Sequence, residues 1–108
     1  MVAASTDSYW SHKAWFESHP ALAGVGYPVI ADTTQKLAEA FGVLVEDGSA
    51  LRGTFVIDPE GKVRSASVVD QNVGRSSEET LRIVQALRTG ELCPVSWRPG
   101  QATLQIAA

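Results

Sequence analysis

Cysteine is almost missing from this chain: Cys93 is the only one among 108 residues. One thiol excludes an internal disulfide, a cysteine-based zinc knuckle and a CxxC redox pair. Long apolar runs are missing too, none approaching the roughly 20 residues that a membrane helix needs. Positive charge is not in excess, with nine Lys and Arg against twelve Asp and Glu for a net charge of −3, so no basic patch marks a nucleic-acid surface. Met1-Val2-Ala3-Ala4-Ser5 lacks the basic and apolar stretches of a secretory signal, and a cytoplasmic location is expected. There is no internal repeat, no Gly-rich phosphate loop, no nucleophile elbow and no His-Glu metal helix. What is present, 44% hydrophobic and 19% charged residues with nine Gly and five Pro, suits one small globular domain. A domain this short leaves much of its surface exposed, so each strand of its core counts.

Local signals give the order of elements. Val2–Thr6 is short and apolar and reads as a buried strand. Ser8 offers an N-cap to a helix through Phe16, and Pro20 ends it. Tyr27–Ala31 reads as a strand pushed toward a sheet edge by Pro28. Asp32, with Gln35 three residues on, predicts a capped helix that carries Leu37 and Phe41 on one face and stops at Gly42. Glu46–Ser49 is a turn. Thr54–Asp58, bounded by Gly53 and Pro59, is the clearest strand, and Val63–Val69 returns as its antiparallel partner. Ser76-Ser77-Glu78-Glu79 is a capping box opening a helix with Leu81, Val84 and Leu87 on one face; Gly90 ends it. The remainder is a tail bearing Pro, Trp and Gly. Strands alternating with helices argue for an α/β sandwich, and the closing hairpin plus helix matches the second half of a thioredoxin-like layout.

Few side chains invite chemistry. Cys93 sits in the tail segment Glu91–Trp97. It is either a small buried hydrophobe or, on an exposed tail, a thiol open to exchange. With no second cysteine in the chain, any disulfide it makes is intermolecular. Arg52 leads into the apolar strand, where it is either half of a surface ion pair or a guanidinium set to stabilise an anion. Arg75 stands one residue ahead of a helix N-cap, a place that favours anions over cations unless the arginine serves a partner. His12 and His19, seven apart, have no ligand-type neighbours at metal spacing and read as solvated or core-edge residues. Trp10, Trp15 and Trp97 read as packing residues.

Taken in order, these segments resemble the typical two-cysteine peroxiredoxins, the alkyl hydroperoxide reductase C group. Ser5-Thr6-Asp7-Ser8 with His12 and Trp15 resembles that family's STDS…H…W stretch, and Tyr27–Asp32 its YP-x-x-x-D segment. Phe41–Leu44, Leu51–Gly61 and Val73–Ser76 follow in family order, and Cys93-Pro94-Val95-Ser96-Trp97-Arg98-Pro99-Gly100 is similar to the resolving-cysteine motif. The resemblance implies reduction of hydrogen peroxide and alkyl hydroperoxides by thiol chemistry, with no metal or organic cofactor. It implies that Cys93 is the resolving cysteine, Arg52 the arginine that stabilises the attacking thiolate and polarises the peroxide, and Arg75 a support for that loop. It further implies a thioredoxin-type or dedicated disulfide reductant, a homodimer through the Val63–Val69 edge, and assembly into larger rings.

The family's P-x-x-x-T-x-x-C segment lies ahead of its STDS stretch, and here only Met1–Ala4 stands there. The expected fold is therefore an α/β thioredoxin-like sandwich incomplete at its N-terminal side, without the central strand and the active-site helix. Residues 1–90 are expected to form this partial domain and 91–108 a tail with the resolving-cysteine motif. By itself such a chain is expected to be inactive. The family's GGLG insert and C-terminal YF helix also have no counterpart in Ala21–Gly26 and the final residues, which resembles the bacterial type. A non-catalytic thioredoxin-like module, pairing through its edge strand or a mixed disulfide, is the alternative.

Overall fold

In the computed structural model, which describes residues 1–104, the chain divides into two units, Met1–Arg52 and a second from Gly53 onward. In the first, β1 (Ala3–Ser5) lies parallel to β2 (Val29–Ala31), with Ala3 opposite Val29 and Ser5 opposite Ala31. Parallel neighbours need a crossover, and α1 (Tyr9–Ser18) with the 3₁₀ turn Pro20–Leu22 supplies it. Ser8 caps α1 as its sequence position predicts, its Oγ accepting from the Ser11 N–H at 3.2 Å. Pro20 cannot continue the helix but can open the tight turn that follows.

The next helix corrects the sequence reading. α2 spans only Lys36–Ala40 and Gln35 is not a capping-box partner, for its backbone sits at φ 64. Asp32 still caps, from farther away: its two carboxylate oxygens accept from Leu37 N at 3.1 Å and Ala38 N at 2.8 Å. Beyond α2 the chain doubles back, Leu44 bridging Ala50 in antiparallel register. Gly48 makes this turn at φ 88, and a Cβ there would stand 2.6 Å from the Gln35 amide nitrogen. The positive φ favours glycine, and any Cβ would also have to displace the end of the Gln35 side chain.

The second unit opens on a hairpin of β3 (Arg52–Ile57) and β4 (Val63–Val69). A connection of so few residues allows only antiparallel pairing. Asp58 organises it, its Oδ1 accepting from Glu60 N and Lys62 N, both at 2.9 Å. α3 (Ser77–Thr89) starts where Ser76 Oγ accepts from Glu79 N at 3.2 Å and stops at Gly90, φ 66. The capping box is half formed, because the Glu79 carboxylate turns to Arg82 instead. Leu81 is exposed, so of the expected stripe only Val84 and Leu87 are half-buried, and Ile83 joins them.

The described residues thus hold two separate two-stranded sheets, β1–β2 and β3–β4. Each ladder leaves backbone groups on its outer edges for another strand to satisfy. No described helix is long and apolar enough to cross a membrane. Residues 105–108, the end of the expected tail, lie outside the described residues.

Candidate functional site

Cys93 is placed by the end of α3. Gly90 turns the chain in the left-handed conformation, its N–H bonding Leu87 O, and the next three residues lead back against the last helical turn. The Cys93 thiol is half-buried, with Sγ 3.7 Å from Thr89 Oγ1, 3.8 Å from Glu91 O and 3.9 Å from Ala86 O. Most of the described tail is exposed and irregular, but Cys93 itself is half-buried and Trp97 is buried. Leu104 N bonds Leu92 O at 2.7 Å, so residues 92–104 close into a loop at whose root Cys93 stands.

Trp97 fills this loop, 4% exposed, and its indole Nε1–H bonds Gln101 O at 3.0 Å. Ser96, at φ 58, turns the indole inward, and Gln101 Oε1 accepts from Arg98 N at 2.9 Å. The Thr103 hydroxyl bonds the Glu91 carboxylate at the loop's neck. One side chain ties the loop to the helix. Arg82 donates from Nε and Nη2 to the Glu79 carboxylate, both at 2.7 Å, and from Nη1 to Trp97 O at 3.0 Å. That pairing holds the Glu79 carboxyl below its ordinary value, chiefly through the Arg82 hydrogen bond. It also raises Arg82, through the Glu79 bond first and the charge of Cys93 last, against an opposing effect of burial.

Of the two arginines singled out in the sequence, Arg75 is anchored: its Nη1 donates to Gly53 O at 2.9 Å, fastening the loop before α3 to the start of β3. It borders an open cleft between hairpin and helix. Thr54, Val56, Ser65, Ser67 and Val69 line the sheet side and Ser76, Glu79, Thr80 and Ile83 the helix side. The alternation along both strands is the period of two that puts every second residue on one face. Arg52 is exposed and is the first residue of β3, which starts two positions before the Thr54 boundary read from sequence. Cys93 is not brought to Arg75. They flank the two ends of the 13-residue α3, a separation of about 20 Å at 1.5 Å per residue.

The first unit holds a further polar pair. Ser5 Oγ meets His12 Nε2 and also accepts from Asp7 N at 3.1 Å, and His12 is buried at 8% exposure. His12 is thus a structural tie between β1 and α1, while His19 is exposed. Of the three tryptophans only Trp97 is buried; Trp10 and Trp15 are exposed on α1, Trp10 in ring contact with Tyr9 and Trp15 with Phe16 and His19. No group of three or more His, Cys, Asp or Glu among the described residues could hold a metal ion. Arg82 was missed in the sequence. Its three-residue spacing from Glu79 is a helical pair signal, but nothing local announces the Trp97 carbonyl.

Residues 1–66 match the family described as AhpC/TSA. The chain belongs to the AhpC/TSA family. Peroxiredoxin prdx-2 of Caenorhabditis elegans is 45% identical over 113 residues, spanning 97% of this chain and 56% of that protein. Alkyl hydroperoxide reductase C of Pseudomonas aeruginosa (strain UCBPP-PA14) is 42% identical over 110 residues, spanning 96% of this chain and 59% of that protein. The solved structure of Mycobacterium tuberculosis AhpC superposes with a TM-score of 0.82 at 37% identity, covering 90% of this AhpC/TSA chain and 55% of that one. The chain thus spans little more than half the length of the relatives it matches. Within that span the likeness bears out the expected fold, a truncated thioredoxin-like α/β arrangement.

Proposed function

We propose that this chain is the resolving half of a thiol peroxidase that reduces hydrogen peroxide and alkyl hydroperoxides without metal or organic cofactor. A peroxidatic thiolate, held in the segment that the matched relatives have in addition, attacks the peroxide: the S–O bond forms and the O–O bond breaks. The departing hydroxide or alkoxide takes a proton to leave as water or alcohol, and the sulfur becomes a sulfenic acid. The Cys93 thiolate then attacks that sulfur: the S–S bond forms, the S–O bond breaks, and the departing hydroxide takes a proton to become water. A thioredoxin-type or dedicated disulfide reductant returns both thiols. Arg52 stabilises the attacking thiolate and polarises the peroxide, and Arg75 steadies the loop beside it. The protein works in the cytoplasm as a homodimer joined through the β4 edge, with rings as the larger assembly.

The observation that carries this reading is the position of Cys93 within a chain of this family. It stands at the far end of α3 from Arg75, where it cannot serve the same reacting atom as that arginine in its own chain, as a resolving thiol delivered to a partner subunit requires. Among the described residues the thiol rests against the Ala86 and Glu91 carbonyl oxygens and the Thr89 hydroxyl, with no cation bonded to it.

The test joins this chain to the N-terminal segment of Pseudomonas aeruginosa alkyl hydroperoxide reductase C and supplies peroxide and thioredoxin. Peroxide-dependent covalent dimers on non-reducing electrophoresis, lost in Cys93→Ser, are expected. Undiminished thioredoxin-dependent turnover without Cys93 would overturn its assignment. Arg52→Ala in the same protein should slow attack on peroxide by about a hundredfold or more, the weight of one aimed donor. The 108-residue chain alone should consume no peroxide beyond the slow rate of an ordinary thiol.

A further inference from the structure

Cys93 is half-buried, its sulfur against Ala86 O and Thr89 Oγ1 of α3 and against Glu91 O, so full access to it requires the loop 92–104 to leave the helix. Three elements oppose that departure. The Leu104–Leu92 bond closes the neck, the Trp97 indole fills the interior, and Arg82 spans loop and helix. The first two lie within the loop and could travel with it. Arg82 cannot, because it is fixed to α3 and grips the Trp97 carbonyl from there. Every donor-bearing nitrogen of its guanidinium is engaged, two on Glu79 and one on the loop. The Arg82 side chain is 27% exposed, so water competes for these bonds only in part.

We propose that Arg82, oriented by Glu79, is a positioning residue that latches the Trp97 carbonyl to α3 and so sets the rate at which Cys93 becomes accessible. Glu79 aims the fork: without it the guanidinium loses two charge-assisted bonds and the long side chain regains its rotamers. The latch deepens the resolving role proposed above and rests on it for its biological meaning, but not for its measurement. The titratable groups that bear on it are Glu79, Arg98, whose charge lowers the Glu79 carboxyl after that of Arg82, and Cys93, whose charge bears on Arg82. Acid should release the latch, since protonating Glu79 removes the partner that aims Arg82.

The experiment uses the reduced 108-residue chain with iodoacetamide as the probe of Cys93, followed across pH. The high-pH plateau of the rate reports access, and the midpoint of the profile reports the thiol. Amide exchange of Leu104 reports the loop. Arg82→Ala should raise the plateau and the Leu104 exchange rate together by about tenfold, the weight of one charge-assisted hydrogen bond. Amides in the middle of α3 should not change. Arg82→Lys should restore part of the closure, and Glu79→Gln, which keeps the arginine, should open the loop by about threefold. Arg88→Ala, which removes an exposed cation of the last helical turn, is the control and should leave the plateau unchanged. A plateau and a Leu104 exchange rate that stay at their original values in both Arg82→Ala and Glu79→Gln would overturn the latch. So would an equal rise in Arg88→Ala, which would mean that general charge is responsible. If Arg82→Ala fails to fold, Glu79→Gln decides alone. Failure of the resolving role would show instead as missing covalent dimers in the joined protein, with alkylation still sensitive to Arg82.

Discussion

The two units solve the same problem, too little chain for an apolar interior, with different materials. In residues 1–52 the buried set includes two polar side chains, His12 and Asp32, beside Ala38 and Val43. Each polar group is tied to backbone or hydroxyl: His12 to Ser5, Asp32 to the first turn of α2. Among the described residues from Gly53 onward the one buried side chain is an indole, Trp97, strapped down by an arginine that reaches across from α3. The first unit is pinned at points, and the second is wrapped. Pins fail by leaving a donor unsatisfied, whereas a wrap fails by letting go of area. The expected damage from mutation therefore differs in size and in reach.

Trp97→Ala should be the most severe change, costing about 3 kcal/mol, the low end for removing a buried aromatic. Urea unfolding gives the size, and amide exchange gives the reach: residues 92–104 and α3 should loosen while α1 and α2 keep their protection. Equal loosening of α2 would make the two halves one cooperative body and remove the distinction between them. Asp32→Ala should come next, at about 2 kcal/mol, because it strips acceptors from two helix N–H groups, one belonging to the buried Ala38. Its exchange pattern should be the converse, with Leu37 and Ala38 freed and Leu104 untouched.

The smallest effect is titration by acid. Glu79 is held below its ordinary value of 4.5 by Arg82, and Asp47 below 3.8 by the Ser49 hydroxyl and backbone N–H. A carboxyl depressed on folding stabilises the fold fully above its unfolded value and loses that contribution as pH falls through its folded value. The second unit should therefore weaken slightly below about pH 4.5 and the first below about pH 3.8. Glu79→Gln should flatten that slope in the second unit and Asp47→Asn in the first, as measured by urea midpoints between pH 2 and 6, roughly the range carboxyls span. A slope that survives both substitutions would assign the acid response to other carboxyls.

What the sequence made legible was whatever is decided within a few residues. Ser8 and Ser76 cap the helices they precede, Gly90 stops α3, and Val63–Val69 coincides with β4. Each rests on a local hydrogen bond or a β-branched run that needs no distant partner. The start of α2 was misplaced because the Asp32 carboxylate reaches five and six residues ahead, farther than a capping box allows. The closure of the tail was not legible because it joins residues 12 apart and its anchor, Arg82, lies 15 residues before Trp97. Among the site residues, Cys93 and Arg75 were legible as chemical types out of place, but not the contacts that hold them. Trp10 and Trp15 were misjudged for the opposite reason. Composition says that a small domain buries its aromatics, yet a single helix can bury only one face, and these two lie off it.

That distribution of indoles has an optical consequence. Trp10 is 71% and Trp15 53% exposed, both in the first unit, while Trp97 at 4% is the one sheltered from water. Emission from the chain should divide into a red component, quenched readily by acrylamide, and a bluer one that resists. The blue component belongs to the loop beside Cys93. Its shift toward red would time the loop's opening without any label, and the two wet indoles would serve as the internal standard.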